Sequence, residues 1–435
     1  MFTLHETTRK RICRTAFFAL CVAPALATAA WIGHARRPWR AADEARWLGA
    51  ALHARTTLAG YETPRPGAAR SSQLTLSDAA TGRKLLSLKS WECRERGDVR
   101  TITAAAATVA VADFAALTGK IASWLAELSV ESMNVRIERL TVEWPLASTD
   151  STSAQLLEFE LYDVQARVEA DGSNGWRLQA TARATADEES ENSLVRLAAS
   201  RTAGAASPVT LTVDNSSTPA PVPLVSTVLA CANGLGADAT FAGELQLEIA
   251  GASMQGAGQG RLDHAELAAL LPAGSPHQLS GQANVELQRL RWHGDRLLEF
   301  AGSLHAVNAT ASRSLIAAAV DRLFCGQIGA GVPATTGAES TTETDPAQTL
   351  IALDTLACQF AWDSTGLTFA GKNPAAENNF GGELATSGGQ VFLYGPRCSQ
   401  LSVGHWLQFV TGPAANWLPA TRESVDVAAR LPLPE

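Results

Sequence analysis

The feature that most constrains the fold is a strict alternation of apolar and polar side chains. In the run Ala242–Ile249 (AGELQLEI), Leu245, Leu247 and Ile249 share one phase, and charged or amide side chains share the other. A period of two predicts a β-strand with one buried face. Alternating or β-branched runs also occupy residues 73–77, 84–93, 99–111 and 209–213. The chain is therefore predicted to be mainly β.

Two of the longer runs change phase partway along. Val135 and Ile137 share one phase, and Leu140 and Val142 continue in the other. The same slip recurs within residues 157–168. A phase change inside a long strand indicates a bulge, which bends and twists the sheet.

The second half contains a weak internal repeat of about 40 residues. Strand patterns begin near Gly243 and again near Gly281, and the strands that follow each of them begin at Gly260 and Gly302. Each copy ends in a short helical pattern, at residues 263–271 and 313–325, and a worn third copy begins near residue 369. Repeats that cannot bury their faces alone imply stacked units.

The N-terminus carries an apolar segment without charge, residues 15–33. A membrane span needs about 20 helical residues, and the basic residues before it place the N-terminus in the cytoplasm. The predicted anchor residues are Phe17, Phe18, Leu20, Val22, Leu26, Trp31 and Ile32. There are two alternatives. One is a cleaved signal peptide with Ala27-Thr28-Ala29 as its cleavage site, and the other is a buried core helix. Both the anchor and the signal peptide place the bulk of the chain on the periplasmic, exported side of an inner membrane.

These patterns predict a mainly β protein with short helices (α+β). An N-terminal transmembrane helix precedes an elongated, curved, repeat-built antiparallel β-sheet. The predicted segments are a basic cytoplasmic tail (1–14), the anchor or signal peptide (15–33), a linker (34–70), a first β-rich block (71–218) with a helix at 113–128, a repeat-like β/helix block (219–412) with a disordered loop at 326–348, and a C-terminal tail (413–435).

Charge and motifs exclude several function classes. The chain has 43 acidic and 35 basic residues, and no basic run follows the N-terminal region, so a nucleic-acid partner is not expected. The sequence contains no nucleophile elbow, phosphate-binding loop, zinc-protease motif or dinucleotide fingerprint. We therefore expect a non-enzymatic protein without cofactor or metal; a hydrolase with an unmarked site is the remaining enzymatic alternative.

Four stretches together resemble the AsmA-like family of membrane-anchored envelope proteins. They are VRIERLTVEW (135–144), LLEFELYDVQARVEA (156–170), PVTLTVDN leading into VPLVSTVL (208–229), and FAGELQLEIA followed by GQGRLDHAELAALL (241–271). The likeness is one of architecture over roughly residues 70–410. It implies a curved sheet whose apolar inner face cradles phospholipid acyl chains, and a role in lipid transport between membranes or in outer-membrane assembly with other envelope proteins. This chain departs from the family in having only two or three repeat units.

The alternation selects the side chains that would form such an inner face. The candidate lipid-facing residues are Ile137, Val142, Phe159, Val164, Leu245, Leu247, Ile249, Val285 and Leu287. Alternation shows that one face is covered but not what covers it. The alternative is therefore that these residues pack a dry core in an anchored structural or protein-interaction module.

Overall fold

The computed structural model describes most of the chain from residue 6 to residue 409. The described residues are 6–35, 39–52, 54–65, 67–110, 125, 131–145, 156–171, 175–185, 193–202, 207–226, 232, 234–250, 253–272, 275–294, 296–327, 349–363, 366–372, 381–396, 401 and 409.

Strands make up most of the described part. They are β1 Ala54–Ala59, β2 Glu62–Arg65, β3 Ala68–Asp78, β4 Lys84–Arg96, β5 Val99–Ala110, β6 Ser132–Pro145, β7 Leu156–Asp171, β8 Gly175–Arg183, β9 Leu194–Arg201, β10 Val209–Asp214, β11 Ala220–Pro221, β12 Thr240–Ala250, β13 Ser253–Glu266, β14 Leu279–Ser280, β15 Gln282–His293, β16 Arg296–Ser312, β17 Cys325–Gln327, β18 Leu350–Asp363, β19 Gly366–Gly371, β20 Glu383–Ser387 and β21 Gln390–Pro396.

The helices are short. They are α1 Glu6–Phe17, a π-helical turn Phe18–Val22, α2 Ala23–Ala35, α3 Trp39–Ala51, α4 Val222–Ser226, a 3₁₀ turn Leu267–Leu270 and α5 Arg313–Arg322.

All strands belong to one sheet, and neighbours in space are mostly neighbours in sequence. Pairing runs from β3 through β10, then through β12, β13, β15, β16 and β18, and ends with β20, β21 and β17. The pairs are antiparallel except β5–β6, which is parallel. The predicted mainly β class with few short helices is confirmed.

A seam crosses five adjacent strands, β3 to β7, where the pleat is interrupted at the same level. The pairing skips one residue in each strand, namely Ser72, Ser90, Ala105, Glu138 and Asp163, without changing register between neighbours. On either side of the seam, inward residues are three apart instead of two, as in Ile137 and Leu140. The phase slips predicted for β6 and β7 lie on this seam.

Two residues on the seam have a left-handed backbone, Ser90 (φ 50°) and Asp163 (φ 48°). A left-handed residue within a strand rotates the following side chains to the opposite face, so the apolar face remains buried past the seam. The carboxylate of Asp163 pairs with Arg183 on β8. A second interruption of this type lies in the later strands, at His264 (φ 58°) of β13 and Asn308 (φ 53°) of β16.

Two glycines, Gly256 and Gly258, leave part of the inner face of β13 without side chains. A Cβ at Gly256 would lie 2.2 Å from Cζ2 of Trp292, and a Cβ at Gly258 would lie 2.6 Å from Cδ2 of Leu245. Large side chains of β12 and β15 therefore close over β13 from both sides, and Trp292 is buried there.

Two predicted segments contain more strand than their sequence indicates. Within residues 34–70 the structure has α3, β1, β2 and the start of β3, and β1 pairs with β3 along its whole length. The expected helix at 263–271 is instead the end of β13 followed by the 3₁₀ turn, and the Asp263 side chain pairs with Arg261. Pairing with a neighbouring strand satisfies these backbone groups, which decides the structure over local helix signals.

Other predicted segments lie outside the described residues. These are the helix at 113–128 apart from Leu125, the loop at 326–348 after β17, and the tail at 413–435.

The expected spanning helix at 15–33 is not found. No helix among the described ranges is long and apolar enough to cross a membrane; the stretch is divided among α1, the π-helical turn and α2. Of the predicted anchor side chains, Phe17, Phe18, Leu20, Leu26 and Ile32 are exposed and Val22 is half-buried. The side chain of Trp31 lies outside the described part.

The seam predicts opposite effects of two substitutions at Ser90, whose side chain is exposed. Ser90→Val should destabilise the fold by about 1–3 kcal/mol, because a β-branched residue is strained at positive φ. Ser90→Gly should be neutral or slightly stabilising, because glycine adopts this conformation freely. Urea denaturation of both variants checks this, and equal stabilities would contradict the left-handed geometry.

The close contact between Gly256 and the Trp292 ring predicts that Gly256→Val destabilises the fold by about 1–3 kcal/mol, since the new side chain must displace the ring. The matched control is Ala257→Val, one residue along β13 on the opposite face. Ala257 is half-buried and already carries a Cβ, so the effect of this control should be clearly smaller than that of Gly256→Val. Thermal melts followed by tryptophan fluorescence make the comparison, and similar losses for the two variants would argue against the close approach.

Candidate apolar binding site

The inner face carries two large hydrophobic clusters that meet at one place. One cluster extends from β6 to β15, and the other from β13 to β21 and includes α5. Leu262, Leu287 and Phe300 are partly buried and pack against both clusters. The candidate site lies at this junction.

The first of two cavities at this place, the junction cavity, measures about 220 Å³. Its walls include Leu245 of β12, Leu262 of β13, Leu290 of β15 and Leu297 of β16. The second, the helix-side cavity, measures about 280 Å³ and lies beneath α5. Cavities of this size suit small apolar ligands, because an engineered apolar cavity of about 150 Å³ binds benzene.

The two cavities adjoin. Five side chains line both of them and are called the shared wall: Leu270, Val285, Phe300, Leu304 and Phe360. The wall is entirely hydrocarbon, and its aromatic members are close, with the ring centroids of Phe300 and Phe360 5.4 Å apart. The Trp362 ring stacks on Phe300 at 6.1 Å with an interplanar angle of 11° and lines the helix-side cavity.

A bulge in β15 creates the space at the junction. β15 has an extra residue at Gln288 relative to both neighbours, so Leu287 and Leu290 both point inward although they are three residues apart. Gly302 on β16 lies opposite the bulge, and a Cβ there would be 2.0 Å from the Glu286 carbonyl oxygen. Only glycine allows β16 to follow β15 this closely.

Helix α5 closes the second cavity. Ser312 caps its first turn, with Leu315 N donating to Ser312 Oγ at 3.3 Å. Leu315, Ile316 and Ala319 then form the buried side of the helix and line the cavity. The apolar stripe seen in the sequence therefore serves as a roof over the sheet.

The site contains little that can carry charge. Glu266 is the one acidic or basic residue in the described lining of the junction cavity, and it is exposed. Cys325 and Cys358 line the helix-side cavity, and burial raises the pKa of Cys358 to about 12, so its thiol is neutral. Among the described residues, no group of three or more His, Cys, Asp or Glu side chains could hold a metal ion.

A buried histidine lies beside the helix-side cavity but joins a structural network. His277 Nδ1 is 3.1 Å from Ser314 Oγ, and Ser314 Oγ is 2.9 Å from Ser312 Oγ, the helix cap. The His277 ring stacks on Phe409 at 6.3 Å, and burial lowers its pKa. A histidine on the cap of α5 fits a role in holding the roof in place.

The structure brings three of the predicted lipid-facing residues to the site. Leu245, Val285 and Leu287 line the junction cavity, and Val285 belongs to the shared wall. Leu247 and Ile249 are buried in the cluster that contains Trp292 and line neither cavity.

The remaining four predicted residues lie elsewhere on the sheet. Ile137 pairs with Val164, and Val142 pairs with Phe159. Ile137 packs against the small cluster of Leu74, Trp91 and Ala104. These four share the alternation of the site residues but lie in β6 and β7, away from both cavities.

Sequence reasoning missed the most central residues. Phe300, Leu304 and Phe360 were not selected, although each lies on an alternating strand. The usable signal was the aromatic cluster of Phe300, Phe360 and Trp362, whose members lie on paired strands. That pairing depends on contacts about 60 residues apart along the chain, which local periodicity does not contain.

Comparison with known proteins adds no identification: no family model, no curated protein and no solved structure matches the chain.

The burial of β12 predicts a large effect at Leu247, which is 1% exposed. Leu247→Asp places an unpaired carboxylate in the core and should destabilise the fold by about 4 kcal/mol or more. Gln246→Asp is the control, because Gln246 is exposed on the opposite face of the same strand. Denaturant titration of both proteins measures the difference, and a mild effect of Leu247→Asp would refute the assigned inner face.

Proposed function

We propose that this chain is a non-enzymatic, membrane-anchored protein that binds lipid acyl chains on the inner face of its sheet. The observation that carries the proposal is the pair of adjoining apolar cavities joined by the shared wall. Hydrocarbon walls select hydrocarbon ligands, because burying apolar surface is the main source of binding energy there.

The energetics of the cavities favour an occupant. Their walls are almost wholly apolar, so water that enters them finds few hydrogen-bond partners. A hydrocarbon ligand that displaces this water buries apolar surface of the protein and of itself.

The proposed location is an inner membrane, with the sheet on the periplasmic side. The support is the uncharged segment at residues 15–33, preceded by basic residues, and the exposed side chains of Phe17, Phe18, Leu20 and Leu26. Exposed aromatic and aliphatic side chains on consecutive helical turns suit a lipid environment. Together with the resemblance to AsmA-like proteins, this supports transport of phospholipid between membranes or outer-membrane assembly with envelope proteins.

The second candidate is an anchored structural or protein-interaction module with a dry core. The packing around Trp292 favours it. Leu247 and Ile249 are buried in the same cluster as Trp292, and the Trp292 ring occupies the space that a side chain at Gly256 would need. The two candidates make different predictions about bound lipid.

Mass spectrometry of lipid bound to the full chain, purified in mild detergent, tests the proposal. We expect about one phospholipid per chain beyond the lipid surrounding the N-terminal helices, and we expect Val285→Gln to lose it because an amide replaces a shared-wall methyl group. Val307→Gln is the matched control, since Val307 is 52% exposed, and it should retain the lipid. If wild type and both variants carry equal lipid while folding cooperatively, the dry-core module is the correct reading.

A further inference from the structure

We infer that the site holds a single acyl chain, threaded from the junction cavity through the shared wall into the helix-side cavity. This inference rests on the proposed function and specifies its ligand: one hydrocarbon chain per site. A free fatty acid, a lysophospholipid or one chain of a diacyl phospholipid supplies the same chemistry.

The volumes of the two cavities indicate how many ligand carbons the site holds. A cavity of about 150 Å³ holds the six carbons of benzene. At that ratio, the cavities of about 220 and 280 Å³ each hold on the order of ten carbons. Their sum matches one membrane acyl chain and leaves no room for a second.

The shared wall allows one chain to pass between the two cavities. Val285 and Leu304 face both cavities from paired positions on β15 and β16. They are aliphatic, so rotamer changes can open a passage between the cavities without breaking a hydrogen bond. Leu270, Phe300 of β16 and Phe360 of β18 complete the shared wall, and the two phenyl rings lie 5.4 Å apart.

The one charged residue of the described lining sets the direction of the chain. Glu266 is exposed and lines the junction cavity but not the helix-side cavity, whereas Leu270, 45% exposed, lines both. The helix-side cavity is walled by the buried residues Leu315, Ile316 and Ala319 of α5 and has no charged side chain in its described lining. The methyl end of the chain is therefore placed under α5, and the polar head group near Glu266 and the 3₁₀ turn.

A chain-length series tests the inference. The full chain, held in amphipol, is titrated with lysophosphatidylcholines of about 8 to 24 carbons, which brackets the length that fills both cavities, in competition with a fluorescent fatty acid. Affinity should rise about fourfold per methylene and level off at the length that fills both cavities, on the order of twenty carbons. Stoichiometry should be one chain per protein.

Two variants test whether the two cavities set the chain length at which affinity levels off. Val285→Phe fills the shared wall and should level off near about ten carbons. Ala319→Leu adds three carbons to the wall of the helix-side cavity and should shorten the plateau by about three carbons. Both variants should bind short chains like the wild type. Val307→Phe on the exposed face is the control and should leave the series unchanged. A melting curve for each protein identifies any variant that fails to fold. If one of the two variants fails, the chain-length series of the other variant tests the inference.

The outcomes are distinct. A plateau that stays at the wild-type length in both variants, or two chains bound per protein, overturns the single threaded chain while lipid binding stands. Absence of binding at every length overturns the proposed function as well. A diacyl phospholipid that binds one-to-one, no tighter than the lysolipid of equal chain length, shows that its second chain stays outside; a clear gain from the second chain contradicts the inference.

Discussion

The apolar face of this sheet stays on one side because neighbouring strands interrupt their pleat at the same level. A strand that shifts phase alone would turn half of its apolar side chains to solvent. Here β3 to β7 shift together, with Ser90 and Asp163 in left-handed conformations. Long strands can thereby bend without losing the common buried face, and the inner surface continues to the junction where the cavities lie.

Whether that surface is solid or hollow depends on where small residues and large ones meet. At Gly256, the absent side chain is replaced by the Trp292 ring, and the region is packed. At the β15 bulge, the extra residue Gln288 is met by Gly302, and space opens between Leu287, Leu290 and Phe300. Glycine thus allows a close approach in both places, to the Trp292 ring at Gly256 and to the backbone of Glu286 at Gly302; the first region is packed, and the second adjoins a cavity. Protein interiors are otherwise packed to crystal-like density, so a pair of adjoining voids marks a site.

The sequence was sufficient for the class of fold, for the phase slips of β6 and β7, and for the buried stripe of α5. It failed where distant pairing decided the outcome. Residues 54–65 looked like a linker because their pattern is weak, yet pairing with β3 makes them strands. Residues 263–271 carry a helical pattern, yet pairing of Asp263 with Thr240 of β12 and of Ala265 and Glu266 with β15 extends β13 to Glu266. The site was predicted in part for the same reason: alternation identified Leu245, Val285 and Leu287 but could not distinguish them from Leu247, which is equally apolar and fully packed.

The nature of the walls limits what the site can discriminate. Apart from Glu266, the thiols of Cys325 and Cys358 and the indole of Trp362, the described lining is hydrocarbon, and the Cys358 thiol is neutral. Charged head groups therefore find no partner in the interior. Selection must therefore come from length and shape, because each methylene adds binding energy only while it finds a wall to contact. Under the proposed lipid binding, the shared wall is the point where this selection acts. A chain that stops before Val285 and Leu304 makes no contact in the helix-side cavity, whereas a chain that passes them contacts the walls of both cavities. The proposed site would then retain long-chain lipid and release short chains without any charged contact to the ligand.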